Sequence, residues 1–377
     1  MTRVLIAGVS TRGCAESAAR AGYEVVAVDG FGDLDLRARA AVVALARGAG
    51  GFSASAAVAA ARRLRCDAVC YVASFENHPR AVAALARRGA LWGNSPEVLA
   101  RVRDPASVAR ALAARGLATP VTLLKPPPAG SRLTWLLKPR ASGGGRGILV
   151  WRGGRRAPRG SYWQQRIAGV PGSIVFAADG RRAVPLGLSL LLAGDAAFGA
   201  AGLRYCGNIL CRPAPRVRAT AARLAAAITE AFGLVGVNGL DFVVAGGVPY
   251  PVEVNPRYTA SMELVERATG ASIFEIHARA CAGTLPPRAL AVAAWRGAAV
   301  GKAVLYARRD VVVDATAAWL EDDDIRDVPA PGERIARGRP ICTIFARGPS
   351  PAACRRALVA RARALYASVD ARQARIA

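Results

Sequence analysis

The sequence predicts an α/β protein with an open parallel sheet first, antiparallel hairpins next and a small α+β cap last. Three observations carry this reading. Short apolar runs alternate with helical stretches through residues 1–95. Paired strand patterns joined by glycine turns dominate the middle of the chain. From residue 291 onward, strand patterns at Ala299–Ala307 and Ile341–Phe345 precede a helix over Pro351–Ser368. With 377 residues the chain can bury two or three cores, and the expected divisions are 1–95, 96–290 and 291–377.

In chain order, Val4–Ala7 reads as a strand, Gly8–Gly13 as a turn and Ala15–Ala21 as a helix stopped by Gly22. Glu24–Val28 is a second strand, ending in Asp29. A helix over Ala54–Leu64, a strand at Ala68–Val72 and a helix over His78–Arg88 repeat the rhythm, which parallel strands with crossover helices require. Helix Ser107–Arg115 leads to a stiff Lys125–Pro128 connector. Strands follow at Trp135–Lys138, Ile148–Trp151, Tyr162–Ile167, Ser173–Ala177 and Val184–Leu192. Helix Val217–Phe232 then precedes a hairpin of Val237–Val244 and Tyr250–Val254.

Composition narrows the function. The net charge of +26 suggests nucleic acid at first sight, but only Lys125, Lys138 and Lys302 are lysines, and the arginines are spread along the whole chain. Aromatic residues make up 6 %, too few to interleave with the arginines as base-stacking platforms, so nucleic acid is disfavoured as a partner. No Cys-x-x-Cys occurs among the eight cysteines, and His78 and His277 are the only histidines. That argues against zinc fingers and His-dependent hydrolysis. No run of 18 uncharged apolar residues is present, and the N-terminus enters a strand without a leader pattern, so a soluble cytoplasmic protein is expected. The turn Gly8-Val-Ser-Thr-Arg-Gly13 lacks the Gly-x-Gly-x-x-Gly spacing of a nicotinamide site.

Two motifs carry chemistry. In Gly239-Leu-Asp241-Phe-Val-Val and Tyr250-Pro-Val-Glu253-Val-Asn255-Pro-Arg257, neighbouring antiparallel strands put Asp241 and Glu253 side by side, and Asn255 shares the face of Glu253. Two carboxylates and an amide oxygen form a hard oxygen site suited to Mg²⁺. The second motif, Lys138-Pro-Arg-Ala-Ser142-Gly143-Gly144-Gly145-Arg146-Gly147, places a lysine at a strand end before a glycine loop whose N–H groups can wrap phosphates. Keeping a lysine in an arginine-biased chain points to the compact ammonium. A third stretch, Tyr162–Gly169, leaves its strand towards a glycine and offers backbone groups to an adenine edge.

Taken in this order, the three stretches resemble the ATP-grasp superfamily of carboxylate–amine ligases, its biotin carboxylase-like members in particular. The resemblance implies a two-lobed ATP-grasp fold, with a small lobe over about 121–168, between the N-terminal domain and the cap. It implies that Lys138 contacts the ATP phosphates, that Ser142, Gly143, Gly144, Gly145 and Gly147 cover them, and that Gln165, Arg166 and Ile167 hold adenine. It also implies that Asp241, Glu253 and Asn255 ligate two Mg²⁺ (Mn²⁺ being the alternative), with Lys138 and Arg257 catalytic and Arg257 stabilising an acyl-phosphate or tetrahedral intermediate. One departure stands out. Before the helix near Ser107 the family has a further phosphate-contacting lysine, where this chain has Arg101-Val-Arg103-Asp-Pro105.

Substrates are then a small-molecule carboxylate and an amine, with pterin- or furan-type cofactor precursors suggested by loose overall similarity. Bicarbonate as the carboxyl substrate and a non-catalytic nucleotide-binding regulator are the alternatives, and a homodimer is compatible with the family. Ligands of open α/β sheets gather at the carboxyl ends of strands. Gly8, Ser10, Thr11 and Arg12 are therefore candidates for a substrate carboxylate, and Glu76 and Asn77 for an amine. Tyr258 and Ser261 follow the arginine and are expected to face the cleft.

Overall fold

A computed structural model describes residues 1–45, 52–154, 156–288, 290, 297–314 and 316–376, with side chains described to residue 371. The N-terminal parallel sheet contains β1 (Arg3–Gly8), β2 (Glu24–Asp29), β3 (Ala41–Ala44), β4 (Ala68–Tyr71) and β5 (Ala90–Trp92), in the order β3-β2-β1-β4-β5. A four-stranded sheet follows, with β6 (Thr122–Leu123), β7 (Trp135–Pro139), β8 (Leu149–Trp151) and β9 (Ser161–Gln165) in the order β6-β9-β7-β8. Trp135, Leu137 and Trp163 fill its small core.

The remaining strands are β10 (Val170–Asp179), β11 (Ala183–Ala193), β12 (Tyr205–Leu210), β13 (Val235–Ala245), β14 (Val248–Asn255), β15 (Ala299–Tyr306), β16 (Val311–Val313), β17 (Ile325–Arg326), β18 (Glu333–Ile335) and β19 (Pro340–Gly348). Eight of them form one antiparallel sheet, β14-β13-β10-β11-β12-β15-β19-β17, while β16 and β18 pair separately. The C-terminal strands β15, β19 and β17 continue this sheet. Asn208 of β12 pairs with Lys302 of β15, so the C-terminal strands extend the sheet that carries the acidic hairpin. The expected start of the cap at residue 291 lies outside the described residues.

One face of the parallel sheet (Val4, Ile6, Ala27, Cys70) packs in a shared core with Val175 and Val237 of the large sheet and Met262, Val265 and Phe274 of two intervening helices. These helices, Met262–Thr269 and Ile273–Cys281, are eight and nine residues long, too short to fill the window over which an apolar period is read. Their burial fixes the two sheets relative to one another. A cleft of about 760 Å³ lies between the sheets, roofed by the small four-stranded sheet.

Candidate active site

The acidic hairpin is built by β13 and β14, in which Asp241 lies directly opposite Glu253, with a bulge immediately after Asp241. Period-two alternation keeps Asn255 on the face of Glu253, and Asn255 Nδ2 donates to Asp241 Oδ2 at 3.0 Å. Arg257 Nη2 donates to Asn255 Oδ1 at 3.2 Å and pairs with the buried Glu76 at 2.8 Å. The two acids diverge electrostatically. Burial, and then the neighbouring Glu253, push the Asp241 carboxyl up to about 6. Burial also works against the charge on Glu253, but Arg103 and Lys138 outweigh it and hold that carboxyl below its ordinary range. Two adjacent carboxylates, one incompletely compensated, with an amide oxygen beside them, fit the oxygen donor set of a magnesium ion.

Lys138 reaches into the same space from β7. Its ammonium is buried, donating to Gln164 Oε1 at 3.1 Å and to the Val252 carbonyl at 3.0 Å. The glycine loop that follows is docked on the large sheet: Tyr205 N–H donates to the Gly144 carbonyl at 3.1 Å. Gly145 takes φ +75°, and a Cβ there would collide with the Leu203 carbonyl, so glycine is required for this approach. Gly144 and Gly145 line the cleft and Ser142 a neighbouring pocket, whereas Gly143 and Gly147 line neither. Gln165, Arg166 and Ile167 line the cleft where β9 ends; the Arg166 N–H is spent on the Thr134 carbonyl at 2.8 Å.

Arg103 ties these parts together. Its Nη1 donates to Glu253 Oε1 at 3.0 Å and to the Val254 carbonyl at 2.9 Å. Its Nη2 donates to Asn77 Oδ1 at 2.8 Å and to the Ser142 carbonyl at 3.2 Å. One guanidinium thus spans the acidic hairpin and the glycine loop, using a fork of donors that an ammonium lacks. Arg103→Lys is expected to raise KM for ATP about tenfold, the equivalent of one lost charge-assisted hydrogen bond. Steady-state ATP titrations check this; an unchanged KM would show that the fork does not hold the loop.

Residues 102–261, which contain Arg103, the loop, Lys138 and the acidic hairpin, match the ATP-grasp domain family. This segment is similar to an ATP-grasp domain. An uncharacterized protein of Methanocaldococcus jannaschii is 26 % identical over 121 residues, which is 32 % of this chain and 28 % of that one. The match therefore spans little more than a quarter of that relative. The solved structure of Staphylococcus aureus N5-carboxyaminoimidazole synthetase complexed with ADP superposes with a TM-score of 0.70 at 15 % identity, covering 96 % of this chain and 97 % of that one. The L-amino acid ligase of Bacillus licheniformis gives a TM-score of 0.67 at 16 % identity, covering 94 % and 96 %. At these identities the likeness is one of fold.

The other end of the cleft departs from several sequence expectations. Ser10, Arg12, Tyr258 and Ser261 line it. Thr11 does not: its N–H and hydroxyl both donate to Asp29, at 2.6 and 2.8 Å, and it is fully buried. Gly8 ends β1 against Val72 and likewise stays out of the lining. Glu76 and Asn77, expected to meet an amine, are committed instead to Arg257 and Arg103. Arg12 is buried rather than open to a substrate carboxylate, pairing with Glu263 and with Asp327 at 2.9 Å. Lys302 completes this network on Glu263, whose carboxyl burial alone would raise but which Arg12 and Lys302 hold well below its usual range. Sequence reasoning missed Lys302, although the retained-lysine argument made for Lys138 applies to it equally. Asp33, Asp327 and Glu333 also line the cleft and carried no local signal.

Proposed function

We propose that the protein is an ATP-dependent carboxylate–amine ligase that activates its acid as an acyl-phosphate. The observation that supports this best is the in-register Asp241–Glu253 pair, with Asn255 and Arg257, in one cleft with Lys138 and a docked glycine loop. Asp241, Glu253 and Asn255 would hold Mg²⁺, with Mn²⁺ able to use the same oxygens; the bound ion supplies charge neutralisation at the phosphates. Lys138 is placed to carry phosphate charge in a dry setting, where a fixed cation is worth most. The glycine loop excludes water from the phosphates, and Gln165 to Ile167 flank the space for adenine. Arg257 is fixed by Asn255 and Glu76, so its guanidinium is oriented before an anionic intermediate forms beside it. The reaction needs no protein nucleophile, because ATP activates the acid and the amine attacks.

The test is ADP release from Mg-ATP across a panel of carboxylic acids and amines, with hydroxylamine added to trap an acyl-phosphate. ADP formation is expected to depend on an organic acid, with hydroxamate formed when amine is omitted. Release and trapping that require bicarbonate, with no organic acid effective, would replace this reading with a carboxylase acting through carboxyphosphate. Mg-ATP bound without turnover under any condition would point to a nucleotide-binding regulator.

A further inference from the structure

The end of the cleft beyond the acidic hairpin is a second acidic wall. Asp33, Glu263, Asp327 and Glu333 line the cleft in a chain whose net charge is +26, and Arg12 and Lys302 are the lining cations paired with Glu263 and Asp327 among the described residues. Both cations are already engaged, Arg12 on Asp327 and Glu263 and Lys302 on Glu263. Asp33 is the exception among the acids. It is 7 % exposed and lines the cleft. It stands at the start of the short helix Leu34–Arg37, yet its side chain caps no N–H there. Among the described residues, no hydrogen bond or ion pair reaches its carboxylate.

An unpaired buried carboxylate is costly, and its ionised form is stabilised only when a cation arrives. Burial, followed by Asp327, Asp29 and Asp35, pushes the Asp33 carboxyl well above its ordinary range, and Arg12 opposes this only in part. The surroundings are apolar as well as acidic. Cys342, on β19, also lines the cleft, and its thiol is pushed up by burial and by the charges of Asp327, Asp35 and Asp33. Ile341 on the same strand, Ile335 and Phe31 line the cleft as well.

We infer that one substrate carries an alkylammonium group on a short apolar stem, and that Asp33 pairs with that ammonium. The inference rests on the ligase reading of the cleft and names the class of compound it accepts. An ammonium held on a carboxylate stays protonated and cannot attack an acyl-phosphate. It is therefore a recognition group, and the reacting carboxylate or amine lies elsewhere on the two substrates, towards Arg257.

The test uses three probes with one stem: n-butylammonium, n-butanol and butyrate, titrated into the full chain and followed by calorimetry. Butylammonium is expected to bind at least tenfold more tightly than either of the others. Asp33→Asn is expected to lose that preference, weakening butylammonium at least tenfold, while Mg-ATP raises Tm as it does in the wild type. Equal affinity for the three probes in the wild type would overturn the inference without any variant. So would undiminished butylammonium binding in Asp33→Asn. Absence of a Mg-ATP response in the wild type would overturn the ligase reading instead, leaving the butylammonium comparison to be judged separately.

Discussion

Glu253→Gln is expected to leave the chain folded and to lower acid-dependent ADP release by on the order of 10²–10³-fold, the scale seen when one preorganised electrostatic group is removed from a reaction site. The change is isosteric, and Glu253 is partly open to the cleft, so packing is little altered. What is lost is the charge opposite Asp241 and the ionic partner of Arg103. Asp241 should respond in turn. Its carboxyl, pushed up to about 6 partly by Glu253, should ionise more easily once that neighbour is neutral. The raised value also fixes a sign for stability. A folded carboxyl that ionises at about 6, above its unfolded value, contributes stability below the unfolded value and loses it as pH rises through 6. Metal-free wild type should therefore lose Tm between roughly pH 4 and 7 relative to Asp241→Asn, while added Mg²⁺ restores it. Turnover in Glu253→Gln equal to wild type would remove both acids from the assignment.

Arg257→Ala carries the second large effect: turnover should fall strongly while Mg-ATP binding persists. A charge-assisted hydrogen bond to an anionic intermediate is worth roughly 1.5–3 kcal/mol, or about 10- to 150-fold in rate. The substitution also strands Glu76, which is 1 % exposed and has Arg257 as its ion-pair partner at 2.8 Å. Breaking a buried pair from one side costs roughly 3–5 kcal/mol, so Tm should drop as well. The double variant Arg257→Ala/Glu76→Gln separates the two contributions. It should recover most of the stability and none of the turnover. If activity returns together with Tm, Arg257 serves the fold and not the reaction.

The same two residues mark where sequence reasoning reached and where it stopped. Arg257 could be placed beside the acids because it follows Asn255 at a fixed local spacing; nothing local announced Glu76 as its partner. Glu76 read as a strand-end group open to substrate, and the strand end is where it lies. Its side chain, however, faces a guanidinium brought in from far along the chain. Thr11 fails for a related reason. The turn after β1 was read as a place for a substrate carboxylate, but the acceptor for the Thr11 hydroxyl is Asp29, the last residue of the adjacent parallel strand. Arg103 was singled out only as a departure from an expected lysine, and the contacts it makes on two lobes were not foreseen.

By itself the sequence determined whatever depends on spacing within one element or one hairpin. Asp241 faces Glu253, and Asn255 shares their face, because a short antiparallel hairpin with period-two alternation leaves little other choice. The lysine and glycine loop could be read because strand end and loop are contiguous in the chain. Only the tertiary structure decided that β15 and β19 extend the hairpin's own sheet, that Arg103 meets Glu253 across 150 residues, and that Arg12 meets Glu263 across 251. The physical reason is that an ion pair depends on which faces of two distant elements dock, and apolar burial sets that docking. Alternation and helical period specify a face within an element but not the element it will meet.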